Sequence, residues 1–323
     1  MSKKAKKRLI IVFSTILALI LVVFIAGNLY IDSILNKMNK TAEFKAEEVY
    51  ANELEGDVVN IALFGVDQDD YGNARSDVMK VISLNFDTKK MSITSIQRDN
   101  LVYQPMQERY EKLNHAYAYD GPQGAISALN YSLDLDITEY VKFDFDSVVN
   151  IVDVLGGVDI TMSDAEAAQL GINSAGTYHL NGTEALAYSR IRNVDSDYGR
   201  MQRQNNVIDA LLSGMGKQSM TGLLGVVNSI MPYIETNISN GSTKNYASSY
   251  ITFSKALDQH QFPSGGYDSI LTSLTLYGTG PHYVLSDFAG EVKLLHDNIY
   301  GGNYTVSDNV LRVDRETKEM AGY

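Results

Sequence analysis

Residues 9–31 carry no charge at all, and the eight residues before them hold Lys3, Lys4, Lys6, Lys7 and Arg8 with no acid. A helix needs roughly 20 apolar residues to cross the hydrocarbon core of a bilayer, so this run is long enough. It is apolar on every face and sits at a terminus, which argues against a buried core helix. It is also longer than the apolar core of a signal peptide, and Ile25-Ala26-Gly27 is a poor small-x-small cleavage site. The layout expected is therefore a cytoplasmic basic tail (1–8), an uncleaved transmembrane anchor (9–31) and an external remainder after Asp32.

That remainder is strongly acidic. The whole chain of 323 residues has a net charge of −12, and setting aside the five basic residues of the tail leaves 22 basic against 39 acidic, a net −17. Nucleic acid and anionic lipid are repelled at long range by such a domain and are excluded as bulk partners. There is no cysteine, so the domain depends on its core for stability, and thiol catalysis and cysteine metal sites are excluded. Residues 32–56 are polar, with apolar residues at loose helical spacing, and read as a stalk. Residues 57–315 read as one folded domain, with the motif-bearing part at 57–215 and a short tail at 316–323.

Within the domain, Val58–Val66 is a buried-strand pattern. Met79–Phe86 and Met91–Ile96 alternate apolar and polar residues around Asp87-Thr-Lys-Lys90, which predicts a hairpin. Helical spacing follows over Gly124–Leu135, and a strand pattern over Val141–Phe145. Phe145-Asp146-Ser147 offers a cap for a helix to Leu155, stopped by Gly156-Gly157 and followed by a short strand, Val158–Thr161. Strand and helix patterns alternate, which predicts an α/β fold: three layers, α/β/α, around a central mixed sheet. Beyond residue 216 the clearest element is a helix near Phe288–Leu295.

Four of the ten arginines fall between Tyr188 and Gln204: Arg190, Arg192, Arg200 and Arg203, with Asp195 and Asp197 among them. Guanidinium forks match phosphate oxygens two at a time. Asn181-Gly-Thr-Glu184 caps a helix ending near Arg192, and a second helix runs from about Tyr198 to Met215. Its apolar stripe is Val207, Ile208, Leu211, Leu212 and Met215. Steps of four back from Ile208 reach Gln204 and Arg200, which places their heads inward. An inward guanidinium needs an anion, supplied either by a ligand or by internal aspartates.

Three weaker constellations accompany it. Asp67, just past a strand, and Arg75-Ser-Asp77 form either a carboxylate pair for a hard cation or a turn cap with a surface ion pair. Gln97-Arg98-Asp99 closes a strand, where an ordinary salt bridge is equally expected. Lys112-Leu-Asn-His115-Ala-Tyr117-Ala-Tyr119 suits a core or a binding role. Phosphate-loop, dinucleotide-fingerprint, nucleophile-elbow and His-Glu-x-x-His patterns are absent.

In order, Phe64-Gly-Val-Asp67, Arg75-Ser-Asp77, Ser95-Ile-Gln-Arg-Asp99, Lys112–Tyr119, Val152–Ile160 and Leu180–Arg192 through Arg203-Gln204 resemble the LytR–CpsA–Psr family. The likeness runs over about residues 57–215 and is loose after that. It implies a membrane-anchored phosphotransferase of the Gram-positive envelope. Such enzymes move a glycopolymer, such as wall teichoic acid or capsule, from an undecaprenyl-pyrophosphate carrier onto peptidoglycan. The resemblance also implies a long apolar pocket for the polyprenyl tail. Arg75, Arg98, Arg190, Arg192, Arg200 and Gln204, with Arg203 from the same cluster, would contact the pyrophosphate. Asp67 and Asp77 would hold Mg²⁺, or Mn²⁺ in its place. Arg75, Asp77, Arg98, Asp99, Arg190 and Arg192 would carry catalysis, with Asp77 or Asp99 as proton acceptor. The family pattern usually has Pro where this chain has Gln97.

Three rivals stand beside this reading. A pyrophosphatase or phosphodiesterase on the same lipid would use the same site with water as acceptor. A non-enzymatic module would use the arginines to bind envelope polymer. A transcriptional role is opposed by the anchor and the acidic domain.

Overall fold

The computed structural model describes residues 27–41, 44–52, 54, 56–68, 74–191, 194–195, 197–253 and 257–323. The basic tail, most of the expected anchor (9–26) and Arg192 lie outside the described residues. Among the described residues no helix is long and apolar enough to cross a membrane.

A helix over 27–35 (α1) leads to β1 (Asn39–Lys40), then β2 (Val58–Gln68), β3 (Ala74–Asn85) and β4 (Lys90–Ile96). A small hairpin, β5 (Leu101–Gln104) and β6 (Arg109–Lys112), precedes α2 (Leu113–Leu133), which kinks at Asp120-Gly121. Then come β7 (Glu139–Asp144), α3 (Phe145–Leu155), β8 (Val158–Met162), α4 (Asp164–Gln169), β9 (Gly176–Leu180), α5 (Gly182–Ser189), α6 (Asp197–Gly216) and α7 (Met220–Ile230). The chain ends through β10 (Glu235–Thr236), α8 (Asn240–Thr252), β11 (Leu257–Phe262), the hairpin β12 (Ile270–Leu276) and β13 (Thr279–Leu285), α9 (Phe288–Tyr300) and α10 (Asp308–Met320).

Seven strands form one mixed sheet in the order β1-β10-β7-β2-β3-β4-β11. The predicted hairpin is β3–β4, antiparallel from Lys80↔Ser95 to Asn85↔Lys90. Side chains alternate across the pleat and feed two cores. On one face Ala62, Phe64, Met79 and Val81 meet Ile126 and Leu129 of α2, Val292 and Leu295 of α9, and Val310 and Val313 of α10. On the other, Leu63, Val78 and Phe143 meet Val148 and Val152 of α3, Ala185 and Tyr188 of α5, and Val207 and Leu211 of α6. Helices thus cover both faces, as the α/β/α expectation has it. Phe64 is fully buried between Tyr117 and Tyr140. Its replacement by Ala would cost about 3–5 kcal/mol.

Three expectations are corrected. The expected stalk is part of the domain: Ile34, Leu35, Met38 and Val49 are buried, and β1 pairs in parallel with β10. The loose helical spacing of its apolar residues was a packing signal. The expected tail at 316–323 begins inside α10, whose Val310, Val313 and Thr317 are buried on one stripe. Finally, α3 is capped by Asp144, which accepts from the Ser147 amide at 2.6 Å, so the stretch Phe145-Asp146-Ser147 expected as the cap is the first turn of the helix.

Candidate active site

Strands β2, β4, β7 and β11 run in one direction, so their carboxyl ends share one edge of the sheet. Open α/β sheets bind ligands along that edge. The chain places there Asp67 at the end of β2, Arg75 and Asp77 at the start of β3, and Gln97-Arg98-Asp99 just past β4. The β2–β3 ladder slips at this edge. Gly65 opposes Val78 and Val66 opposes Ser76, so Asp77 is the extra residue of a bulge. Bulges re-aim a side chain out of the pleat alternation. Gly65 is required beside it, because a Cβ would lie 2.9 Å from Val78 Cβ and 3.0 Å from the Phe143 ring.

Arg98 is 6% exposed. Its Nη1 pairs with Asp77 and its Nε donates to Asp99 Oδ2 at 3.3 Å. Lys112 Nζ lies 3.8 Å from Asp99 Oδ1 and donates to the Gly280 carbonyl at 2.9 Å. The backbone holds the group in place: the Asn114 amide donates to Arg98 O at 3.0 Å, and the Tyr283 amide to Asp99 O at 2.9 Å. Beside this cluster Gln97 Oε1, both amide atoms of Asn100 and Asn114 Oδ1 are buried without a partner. Each such group costs about 1–3 kcal/mol, and native chains keep them scarce. These four atoms belong to three residues that flank Arg98-Asp99 in sequence or bond the Arg98 carbonyl.

The arginine-rich segment divides. Arg190 caps the end of α5 and is exposed, and Arg200 is half-buried in the first turn of α6. Gln204, a turn further on, is buried with its Oε1 unpartnered. Val207, Ile208 and Leu211 are buried as the stripe predicted. The position of α5 is set by Gly182, where a Cβ would meet Val149 O at 2.2 Å, and by its amide, which donates to Asp153 at 2.7 Å. Arg203 is placed differently from the expectation. It is 1% exposed, and its two terminal nitrogens donate to Asp195 (2.8 and 2.9 Å), Glu166 (3.2 Å) and the Ile191 carbonyl (2.9 Å). Asp195, Glu166 and the Ile191 carbonyl take both terminal nitrogens, so Arg203 ties α6 to α4, while its Nε is buried without a partner.

Glu111 was not foreseen. Its carboxylate accepts from the Lys112 amide at 3.0 Å, sits 3.3 Å from His115 Nδ1 and touches His282 Nε2. Burial alone would raise its carboxyl, but bonds from His115, His282 and the Lys112 amide outweigh that and hold it well below the usual carboxylate range. It joins β6 and α2 to β13 directly behind Lys112. Only the proximity of His115 to an acid hinted at it.

Mg²⁺ takes hard oxygen ligands and often only one or two carboxylates. Asp77, partly exposed and turned out of the ladder by the bulge, is the right donor type, and Asp67 stands opposite Arg75 in the register. The side chain of Asp67 lies outside the described residues. Among the described residues no group of three or more acids or histidines converges on a cation position.

Next to the cluster, between α6 and the β3, β4 and β11 strands, lies a cleft of about 250 Å³ lined by Lys80, Ser95, Gln202, Asn205, Asp209 and Gln259 among others. A small neighbouring cavity joins Gln97 to Gln202 and Asn205. Walking back along α6 from Asp209 to Gln202 therefore follows β4 from Ser95 to Gln97. The arginine-bearing start of α6 is thereby directed toward the carboxyl edge that holds Arg98.

Residues 23–283 match the LytR_cpsA_psr family. The polyisoprenyl-teichoic acid–peptidoglycan teichoic acid transferase TagU of Bacillus cereus (strain AH820) is 30% identical over 265 residues, 78% of this chain and 87% of that protein. TagU of Enterococcus faecalis (strain ATCC 700802 / V583) is 30% identical over 276 residues, 82% and 90% of the two chains. The structure of TagT bound to LIIa-WTA superposes with a TM-score of 0.62 at 24% identity, covering 82% of this chain and 98% of that one. The crystal structure of B. subtilis TagT gives 0.60 at 24%, covering 82% and 100%. Ordered motifs, a mixed sheet with Arg98 and Asp77 at its carboxyl edge, and a match over most of the length lead to one conclusion: the chain belongs to the LytR–CpsA–Psr family.

Proposed function

We propose that this protein is a membrane-anchored phosphotransferase that moves an anionic glycopolymer from a polyprenyl-pyrophosphate carrier onto peptidoglycan. The observation that carries the reading is the corner formed by Arg98, Asp77 and Asp99 at the carboxyl edge of the sheet, with buried unpartnered amide atoms on the adjoining Gln97, Asn100 and Asn114. The names of the TagU relatives support the glycopolymer and the acceptor.

Phosphoryl transfer asks a protein mainly for charge neutralisation and alignment. Arg98 is already desolvated and fixed by two carboxylates, so it needs little reorganisation to meet a phosphate oxygen. Arg75, Arg190, Arg192 and Arg200 would add forks from the exposed side, with Gln204 as a neutral donor. Asp77 and Asp67 are the residues that would hold Mg²⁺, which when bound offsets phosphate charge. An acceptor hydroxyl attacks the phosphorus next to the glycan. The oxygen–phosphorus bond forms as the bridging pyrophosphate bond breaks, and polyprenyl phosphate leaves. Asp77 or Asp99 takes the hydroxyl proton.

The test is product identity. The full chain in detergent, given a polyprenyl-pyrophosphate glycan and peptidoglycan oligomers, should yield a glycan–phosphate–peptidoglycan adduct by mass spectrometry, and chelator should suppress it. Tight lipid binding with no product over time would reject the enzyme and favour a binding module.

A further inference from the structure

The Lys80 ammonium is an anomaly of the sheet. It lies in the middle of β3, between Val78 and Ile82 on the face that packs against α6, yet it is 1% exposed. Its Nζ donates to Ser95 Oγ at 2.8 Å and lies 3.6 Å from Asp209. Burial pushes the ammonium down from its usual range, and Asp209 opposes that. Nothing in the proposed transfer uses this pair.

The cleft above it has a consistent character. Gln202, Asn205 and Gln259 bring amides, each able to donate and accept, and Ser95 brings a hydroxyl. Lys80 and Asp209 cancel in charge. Ile93 supplies one apolar patch. A hydrocarbon chain laid here would strip water from the Asp209 carboxylate and several amides without returning a hydrogen bond, which is strongly unfavourable. A phosphate would meet the Asp209 carboxylate beside the single ammonium of the lining, with His260 the other ionisable group there. A sugar ring satisfies the lining, because its hydroxyls both donate and accept while its C–H face covers Ile93. The volume of about 250 Å³ falls below the roughly 300–1,000 Å³ of pockets for drug-sized ligands, which is room for about one ring.

We propose that this cleft is a saccharide subsite that seats one neutral pyranose ring beside the Arg98 corner, with the Lys80–Asp209 pair and Gln259 as its specificity determinants. It deepens the proposed transfer and rests on that reading for its purpose, though sugar binding itself can be measured without turnover. The ring could belong to the glycan being moved or to the peptidoglycan receiving it. The chemistry is shared.

The test is saturation-transfer NMR and calorimetry on the full chain in detergent with methyl N-acetylglucosaminide, then with a lipid-free sugar diphosphate and with a peptidoglycan tetrasaccharide. The monosaccharide should bind the wild type, and Gln259→Ala and Asp209→Ala should each weaken it about tenfold. Gln259 is on an exposed edge strand, so its variant should keep the fold even if Lys80→Met does not. The subsite belongs to the acceptor if the variants weaken the tetrasaccharide alone, and to the donor if they weaken the sugar diphosphate alone. No sugar binding by wild type, unchanged binding in both variants, or displacement of the sugar by farnesyl phosphate would overturn it. Sugar binding without any transfer would retain the subsite and reject the transferase.

Discussion

Two buried arginines, Arg98 and Arg203, stand in similar local sequence and have opposite surroundings. Arg203 makes four bonds to two carboxylates and a carbonyl, inside the protein. Arg98 is clamped by Asp77 and Asp99 at a sheet edge, and the adjoining Gln97, Asn100 and Asn114 carry unpartnered amide atoms. The first is an internal strut between helices. The second is a charge held ready at the place where α/β sheets bind ligands. A cluster of arginines is therefore not one site, and the place of each, between helices or at the carboxyl edge of the sheet, separates the two roles.

The largest effect should come from the strut. Arg203→Ala leaves Asp195 and Glu166 facing a gap, and the loss expected is about 3–5 kcal/mol in chemical denaturation. A loss below about 1 kcal/mol would break the contrast. Arg98→Lys keeps charge but not the fork, and transfer should fall by about 10²-fold or more while the fold survives. If stability falls as far as in Arg203→Ala with turnover intact, the two roles have been exchanged.

Arg190→Ala sharpens the comparison from the exposed side. Turnover should drop by about 10²-fold, with stability changed by less than about 0.5 kcal/mol. The smallest effect concerns a buried base without a carboxylate bond. His296 bonds to the Leu133 carbonyl at 2.9 Å and stacks on Tyr300 and Tyr304, with Asp134, Asp136 and Asp297 nearby. Burial pushes its imidazole below the ordinary value, and the bond to Leu133 and the aspartates only partly oppose this. The unfolded chain then binds the extra proton first, so stability is present above about pH 6.5 and is lost as pH falls from there. His296→Gln should flatten the dependence of Tm on pH between 6.5 and 5; an unchanged slope would assign it to other groups.

The parts of this molecule that were legible in the sequence are those with strong periodicity. The β3–β4 hairpin alternates cleanly, and Asn181-Gly-Thr-Glu184 forms the capping box it spells. Arg98, Asp77 and Asp99 were singled out from their motifs, but their mutual pairing was not, because the bulge at Asp77 leaves no mark on composition. Edge strand β11, Leu-Asp-Gln-His-Gln-Phe, has an apolar residue only at each end and pairs in parallel with β4 through its backbone. Glu111 and His282 are 171 positions apart and meet only in the fold. Lys80 looked like any charged residue in an alternating strand. Its burial depends on α6, which arrives some 120 residues later and brings Asp209.

The most direct test of the transfer itself is to run the reaction in water enriched in ¹⁸O, with full chain, polyprenyl-pyrophosphate glycan and peptidoglycan oligomers, and to weigh the phosphate of each product. A phosphate joined to peptidoglycan and free of label is the result expected, because the acceptor hydroxyl supplies the new oxygen. Labelled glycan phosphate released into solution, with no adduct, would mean that water is the acceptor and that the protein is a hydrolase.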